Sequence, residues 1–133
     1  DGGYTQVFDH TYVRYTGDSE QDKLAVDSGY YIPRNKAHAA VNLKTGKWLV
    51  NFDGNYLGRL PNYDEDAWLK PYVIWNASVR YDVNDKVTVS LAVNNLFDKG
   101  PVRDDTWTSY PYYNASWYDG IGRNGFLQIT VKY

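Results

Sequence analysis

Val73-Ile74-Trp75-Asn76-Ala77-Ser78-Val79-Arg80-Tyr81 sets Val, Trp, Ala, Val and Tyr at alternate positions against Ile, Asn, Ser and Arg. An Asn84-Asp85-Lys86 turn follows. Val87, Val89, Leu91 and Val93 then repeat the pattern against Thr88, Ser90, Ala92 and Asn94. Side chains of an extended chain point alternately to opposite faces, so a sustained period of two marks strands with one dry and one wet face. Leu127-Gln128-Ile129-Thr130-Val131-Lys132-Tyr133 carries the same signature after a long intervening segment.

Outward from this stretch, the pattern predicts about six strands, over residues 4–15, 35–44, 47–58, 72–83, 87–96 and 124–133. Asp9, His10 and Arg14 interrupt both faces of the first. Ala37, Ala39, Val41 and Leu43 oppose His38, Asn42 and Lys44 on the second, and Trp48, Val50, Phe52 and Tyr56 oppose Asn51, Asp53 and Asn55 on the third. The connections alternate between long segments (16–34, 59–71, 97–123) and tight turns at Thr45-Gly46 and Asn84 to Lys86. Gly and Asn-Asp supply the backbone freedom and side-chain hydrogen bonds that such turns require. The expected fold is all-β, an antiparallel meander of about six long strands. Tight turns at one end and long loops at the other are the connectivity of transmembrane barrels, and strands of about 10–12 residues exceed the ~5–6 usual in soluble sheets. On that reading Val73, Trp75, Val79, Val87, Val89, Leu91, Val93, Leu127, Ile129 and Val131 face outward, and Asn76, Ser78, Arg80, Ser90, Asn94, Gln128 and Lys132 face the wet side. The alternative is a soluble sandwich whose apolar faces meet in a core.

Composition agrees with either all-β reading. The chain has 133 residues, the length of one domain. A mean hydropathy of -0.62 excludes a helical membrane protein. The aromatic residues are 14 Tyr and 5 Trp against 4 Phe, a bias toward rings with a polar tip. Such rings suit a membrane–water boundary, and also sugar-binding sandwiches. A net charge of -2 with no basic stripe argues against a nucleic-acid partner. With no cysteine, disulfides, thiol catalysis and cysteine-ligated metals are excluded. Asp1-Gly2-Gly3 shows neither a charged nor an apolar leader region, so either these residues are a mature fragment or the membrane reading fails.

No catalytic constellation is expected, and no cofactor. His10 and His38, the 2 histidines, fall on different strands without metal-ligand spacing. Asp64-Glu65-Asp66 and Asp104-Asp105 lack the spaced oxygen ligands of a calcium loop and read as solvated acid clusters. Asn76-Ala77-Ser78 and Asn114-Ala115-Ser116 have the form of glycosylation acceptors, which a bacterial context leaves unused. The ligand-like segment is 97–122, where Trp107, Tyr110, Tyr112, Tyr113, Trp117 and Tyr118 crowd near Arg103, Asp104 and Asp105. Exposed rings with a few charges can stack on a sugar, an aromatic siderophore or a peptide. The same residues can equally pack against neighbouring loops.

Four stretches together resemble a known family. Asn94-Asn95-Leu96-Phe97-Asp98-Lys99 resembles the Asn-Leu-Phe-Asp-Lys box near the end of TonB-dependent outer-membrane receptors, and Gly122-Arg123 is similar to the Gly-Arg pair that opens their last strand. Ile32-Pro33-Arg34-Asn35-Lys36-Ala37 resembles their Pro-Arg-His-Lys-Ala approach to a strand. Leu127, Ile129, Val131 and terminal Tyr133 resemble the signal by which outer-membrane barrels are recognised for insertion. The matches run in order over about residues 30 to 133. Within the box a structural role is favoured: Asn94 and Asn95 bond backbone where the strand frays, Leu96 and Phe97 anchor the rim, and Asp98 and Lys99 begin the loop.

The resemblance implies the C-terminal segment of a 22-stranded barrel, whose plug, TonB-contacting box and earlier strands lie outside residues 1–133. It places the protein in the Gram-negative outer membrane. Implied partners are the remainder of the receptor, outer-membrane lipid, the TonB system through the plug, and the barrel assembly machinery. The implied function is energised uptake of a scarce ligand, whether siderophore, vitamin, oligosaccharide or peptide. A soluble all-β carbohydrate-binding module is the alternative.

Overall fold

Two tight turns set the frame. Gly46 adopts a φ of +53°, which favours a residue without a side chain. Asn84 folds its carboxamide oxygen back to accept the N–H groups of Lys86 and Val87, each at 2.9 Å. The two turns are tied together, because the Lys47 ammonium donates to the Val83 carbonyl at 2.7 Å and the Asp82 N–H donates to the Lys47 carbonyl at 2.9 Å.

The computed structural model describes residues 2–6, 11–12, 21–22, 25, 31–33 and 35–133. Its strands are β1 Gly2–Gln6, β2 Thr11–Tyr12, β3 Gln21–Asp22, β4 Asn35–Thr45, β5 Trp48–Leu57, β6 Tyr72–Asp82, β7 Val87–Asn94 and β8 Asn124–Val131. Six of them form one antiparallel sheet in the order β1-β4-β5-β6-β7-β8, and β2 and β3 pair separately. The expected strand over 4–15 is therefore divided. Gly2–Gln6 pairs with Asn35 to Ala39, whereas Thr11 and Tyr12 pair with Gln21 and Asp22. Residues 7–10 and 13–15 of that stretch lie outside the described residues. The 11-residue strands β4 and β6 extend ~36 Å at ~3.3 Å per residue. Tilted by about 45° they cover ~25 Å, the height of a barrel's apolar band.

Register joins like to like. Val41 lies opposite Phe52, Phe52 opposite Ala77, and Ala77 opposite Val93. One row further, Leu43, Val50, Val79, Leu91 and Leu127 align across five strands. All the residues expected to face outward fall on this side. Among the described residues no second sheet covers it: Leu43 is 62% exposed, Leu127 69% and Ile129 63%. Aromatic rings brace the face, with Phe52 stacked on Trp75 at 5.1 Å and Trp48 against Tyr81 at 4.4 Å. The opposite side is polar. The Asp53 carboxylate accepts from Asn76 at 2.8 Å and from Asn55 at 3.1 Å, and Asp82 accepts from Thr88 at 2.8 Å and Arg80 at 3.1 Å.

Among the described residues, buried apolar side chains gather only at the long-loop end. Leu60, Tyr72 and Tyr118 form a cluster against which Leu57, Ile74, Val102, Tyr113 and Trp117 pack. Leu57, Tyr72 and Ile74 occupy rows of the polar face, yet they are apolar because the segment after β7 folds back over them.

Candidate functional site

The loop between β5 and β6 and the loop between β7 and β8 make a joint cap over this end of the sheet. The first is a small hairpin of its own. Pro61 bridges Trp68, the Leu69 N–H donates to the Leu60 carbonyl, and Asn62 accepts the N–H groups of Asp66 and Ala67 at 3.0 and 2.9 Å. Asx side chains satisfying backbone two to five residues away are what make such a loop hold its shape. In the second loop Asn114 does the same for Ser116.

Asp104 fastens the two loops. It is 2% exposed, and its carboxylate accepts from the Tyr63 N–H at 2.7 Å, the Thr106 N–H at 3.0 Å and the Thr106 hydroxyl at 2.6 Å. A buried carboxylate is tolerated when donors of this number surround it. Trp107 follows, its ring edge-on to Tyr63 at 5.0 Å and tilted to Tyr31 at 6.5 Å. The Tyr31 carbonyl accepts from the Trp117 indole N–H at 2.7 Å, and the Lys36 ammonium sits 4.1 Å from the centre of that indole. Burial, reinforced by Glu65, raises the Tyr31 phenol above its ordinary pKa. Tyr118 is 3% exposed and meets Tyr72 edge-on at 5.2 Å; burial pushes its phenol up to about 12.

The candidate ligand residues thus divide into two groups. Asp104, Trp107, Trp117 and Tyr118 are held in contacts within the cap. Arg103, Tyr110 and Tyr112 stand at its surface: Tyr110 is 85% exposed and edge-on to Tyr112 at 6.3 Å, with the Arg103 guanidinium 5.4 Å from the Tyr112 ring. Arg103 is also paired with Asp105 at 3.0 Å, an exposed ion pair. Sequence reasoning missed Tyr31, Tyr63, Asn62 and Thr106 as parts of this assembly. Asn62, four residues before Asp66, carries a local turn signal; the others carry none, since their contacts cross the chain.

The Asn-Leu-Phe-Asp-Lys stretch closes the rim beneath. Asn95, buried, has a positive φ of 50° and a side chain that donates to the Lys99 carbonyl at 2.9 Å and accepts the Lys99 N–H at 2.8 Å. The Asn95 N–H donates to the Asn76 side chain at 3.0 Å, and the Leu96 N–H to the Trp75 carbonyl at 2.7 Å. Asn94 bonds the side chain of Asn124 across the ladder, while Phe97 is exposed. Asp98 accepts the Arg123 N–H at 2.9 Å beside Gly122, whose φ of +77° suits glycine. Among the described residues no group of three His, Cys, Asp or Glu side chains stands together as a metal site. Nor is any described helix long and apolar enough to cross a membrane, which bears only on helical spans.

A one-layer antiparallel sheet with a continuous apolar outer face, tight turns below and interlocked loops above has the architecture of a transmembrane β-barrel wall. The family model for the TonB-dependent receptor-like β-barrel matches residues 1–96, and the chain belongs to that family. The vitamin B12 transporter BtuB of Vibrio cholerae serotype O1 is 29% identical over 93 residues. That match takes in 65% of this chain but 14% of the transporter, so the chain spans about one seventh of the length of the curated relatives it matches. In fold it is similar to a mutant of the ferric enterobactin receptor PfeA from Pseudomonas aeruginosa. The TM-score is 0.59 and the identity 19%, covering 77% of this chain and 17% of that one.

Proposed function

We propose that the chain is the C-terminal wall segment of an outer-membrane receptor that takes up a scarce ligand with energy supplied through TonB. The observation that carries this reading is the uncovered apolar face, kept in register from β4 to β8. Such a face is stable against hydrocarbon and unfavourable against water, and its edge strands require further strands of the same barrel. The remaining strands, a plug and TonB are the partners this role needs, together with outer-membrane lipid. Leu127, Ile129, Val131 and Tyr133 offer the barrel assembly machinery an apolar row on and just beyond β8.

The ligand is a siderophore, vitamin, oligosaccharide or peptide, met by the exposed Arg103, Tyr110 and Tyr112 above the cap. Vitamin B12 and ferric enterobactin name two of the similar proteins and are the first candidates to try. The full receptor is expressed in a Gram-negative host stripped of its own receptors, and uptake of labelled candidates is followed with and without TonB. Uptake that needs TonB and falls at least about tenfold when Tyr110, Tyr112 and Arg103 are all changed to Ala supports the reading. Uptake indifferent to TonB refutes it.

A further inference from the structure

Where the apolar face meets the long loops, a cleft of about 280 Å³ opens between Asn35, Tyr56, Arg59 and Trp68. We propose that it is a seat for the phosphorylated headgroup of an outer-leaflet glycolipid. Tyr56 belongs to the outward-facing rows, aligned with Ala37 and Val73, so the cleft is continuous with the face turned to hydrocarbon. Arg59 follows β5 by two residues and is exposed, its guanidinium 5.6 Å from the centre of the Trp68 ring. Among the described residues no carboxylate pairs with it. By contrast Arg80 and Arg103 each hold an aspartate.

The cleft is built into the backbone. The Gly58 N–H donates to the Asn35 carbonyl at 2.7 Å, and a Cβ at 58 would stand 2.8 Å from that oxygen, so only glycine lets the two segments close so tightly. Arg59, Asn35 and Tyr56 then line one small space with Trp68. Phosphate is the anion that a guanidinium fork fits best, and a cation held over an indole keeps its donors free for it. The same cleft carries apolar surface from Tyr56 and Trp68, which a free inorganic anion cannot use but the sugar and acyl root of a lipid can. Charge, amphipathic rings and depth agree on a lipid headgroup at the membrane surface. The inference rests on the barrel reading, in which the long loops face outside.

The test uses the full receptor purified in detergent, with bis-phosphorylated lipid A as probe and bound lipid counted by native mass spectrometry. Unaltered receptor and a Lys86→Ala control at the opposite rim are expected to bind lipid A alike. Arg59→Ala should bind about tenfold more weakly, Arg59→Lys should recover much of the loss, and Trp68→Leu should weaken binding with the charge intact. Equal binding by Arg59→Ala and unaltered receptor overturns the proposal, as does equal binding of dephosphorylated lipid A. Inorganic phosphate competing at the affinity of the lipid itself would also overturn it, by showing a free-anion site. Failure of the barrel reading looks different: the unaltered receptor would then stay folded in plain buffer and take up no lipid.

Discussion

The indole of Trp75 lies flat over Gly54, its partner across the ladder, so close that a Cβ at position 54 would stand 2.5 Å from Cζ3. Phe52, two residues along β5, stacks on the same indole with ring planes 12° apart. Glycine is thus required here for space rather than for backbone freedom. Replacing Gly54 with Val should force Trp75 off Phe52 and cost roughly 1–3 kcal/mol. Urea unfolding of the full receptor in lipid, followed by Trp fluorescence, would show it as a lower midpoint. An unchanged midpoint would mean that the indole can move aside freely.

The two faces should differ sharply in tolerance of charge. Leu91 is 45% exposed on the outward side, aligned with Val79 and Leu127, whereas Ser90 sits beside Arg80 on the polar side. Leu91→Arg should destabilise the barrel by ~2–4 kcal/mol if its row lies at the bilayer midplane, and Ser90→Arg far less. Folded fractions of the two variants after reconstitution decide the matter. Equal tolerance would show that neither residue meets lipid.

Asp104 should act on the loops without acting on the wall. Its carboxylate satisfies donors from Tyr63 and Thr106, and Asp104→Ala strands them at a cost of about 1–3 kcal/mol per buried group. The expected result is protease cleavage within residues 59–71 and 97–123 at unchanged global stability. Intact loops in the variant would argue that the apolar contacts around Trp107 suffice.

The Tyr118 phenol gives a pH signature. Its folded value is raised to about 12 by burial first, with Tyr72 and Asp104 adding to it, against about 10 in an unfolded chain. Below pH 10 the phenol is neutral in both states and its burial is undisturbed. Between about 10 and 12 the unfolded chain releases the proton while the folded one keeps it, so cap stability declines as pH rises. Tyr118→Phe removes that slope. Its hydroxyl has no hydrogen-bond partner among the described residues, so the change should cost little at neutral pH. Thermal melts at pH 8 and pH 11 on both proteins would test this, and identical slopes would show that Tyr118 titrates normally.

The alternation in 73–81 and 87–93 by itself determined the faces and, through Gly46 and Asn84, the tight turns, because a strand's side-chain period and a turn's backbone needs are local properties. The same locality explains the division of the expected 4–15 strand: pairing partners at Asn35 to Ala39 and at Gln21 and Asp22 lie elsewhere in the chain. Only the tertiary structure decided which loop residues are buried. Asp104 reads as a solvated acid and Tyr118 as a ring that either meets ligand or packs on neighbouring loops; they are 2% and 3% exposed because Tyr63 and Tyr72, 41 and 46 residues earlier in the chain, fold against them. Contacts across such separations leave no periodic trace. What they did leave was Leu57, Tyr72 and Ile74, apolar residues in polar rows, placed where the second loop settles on the sheet.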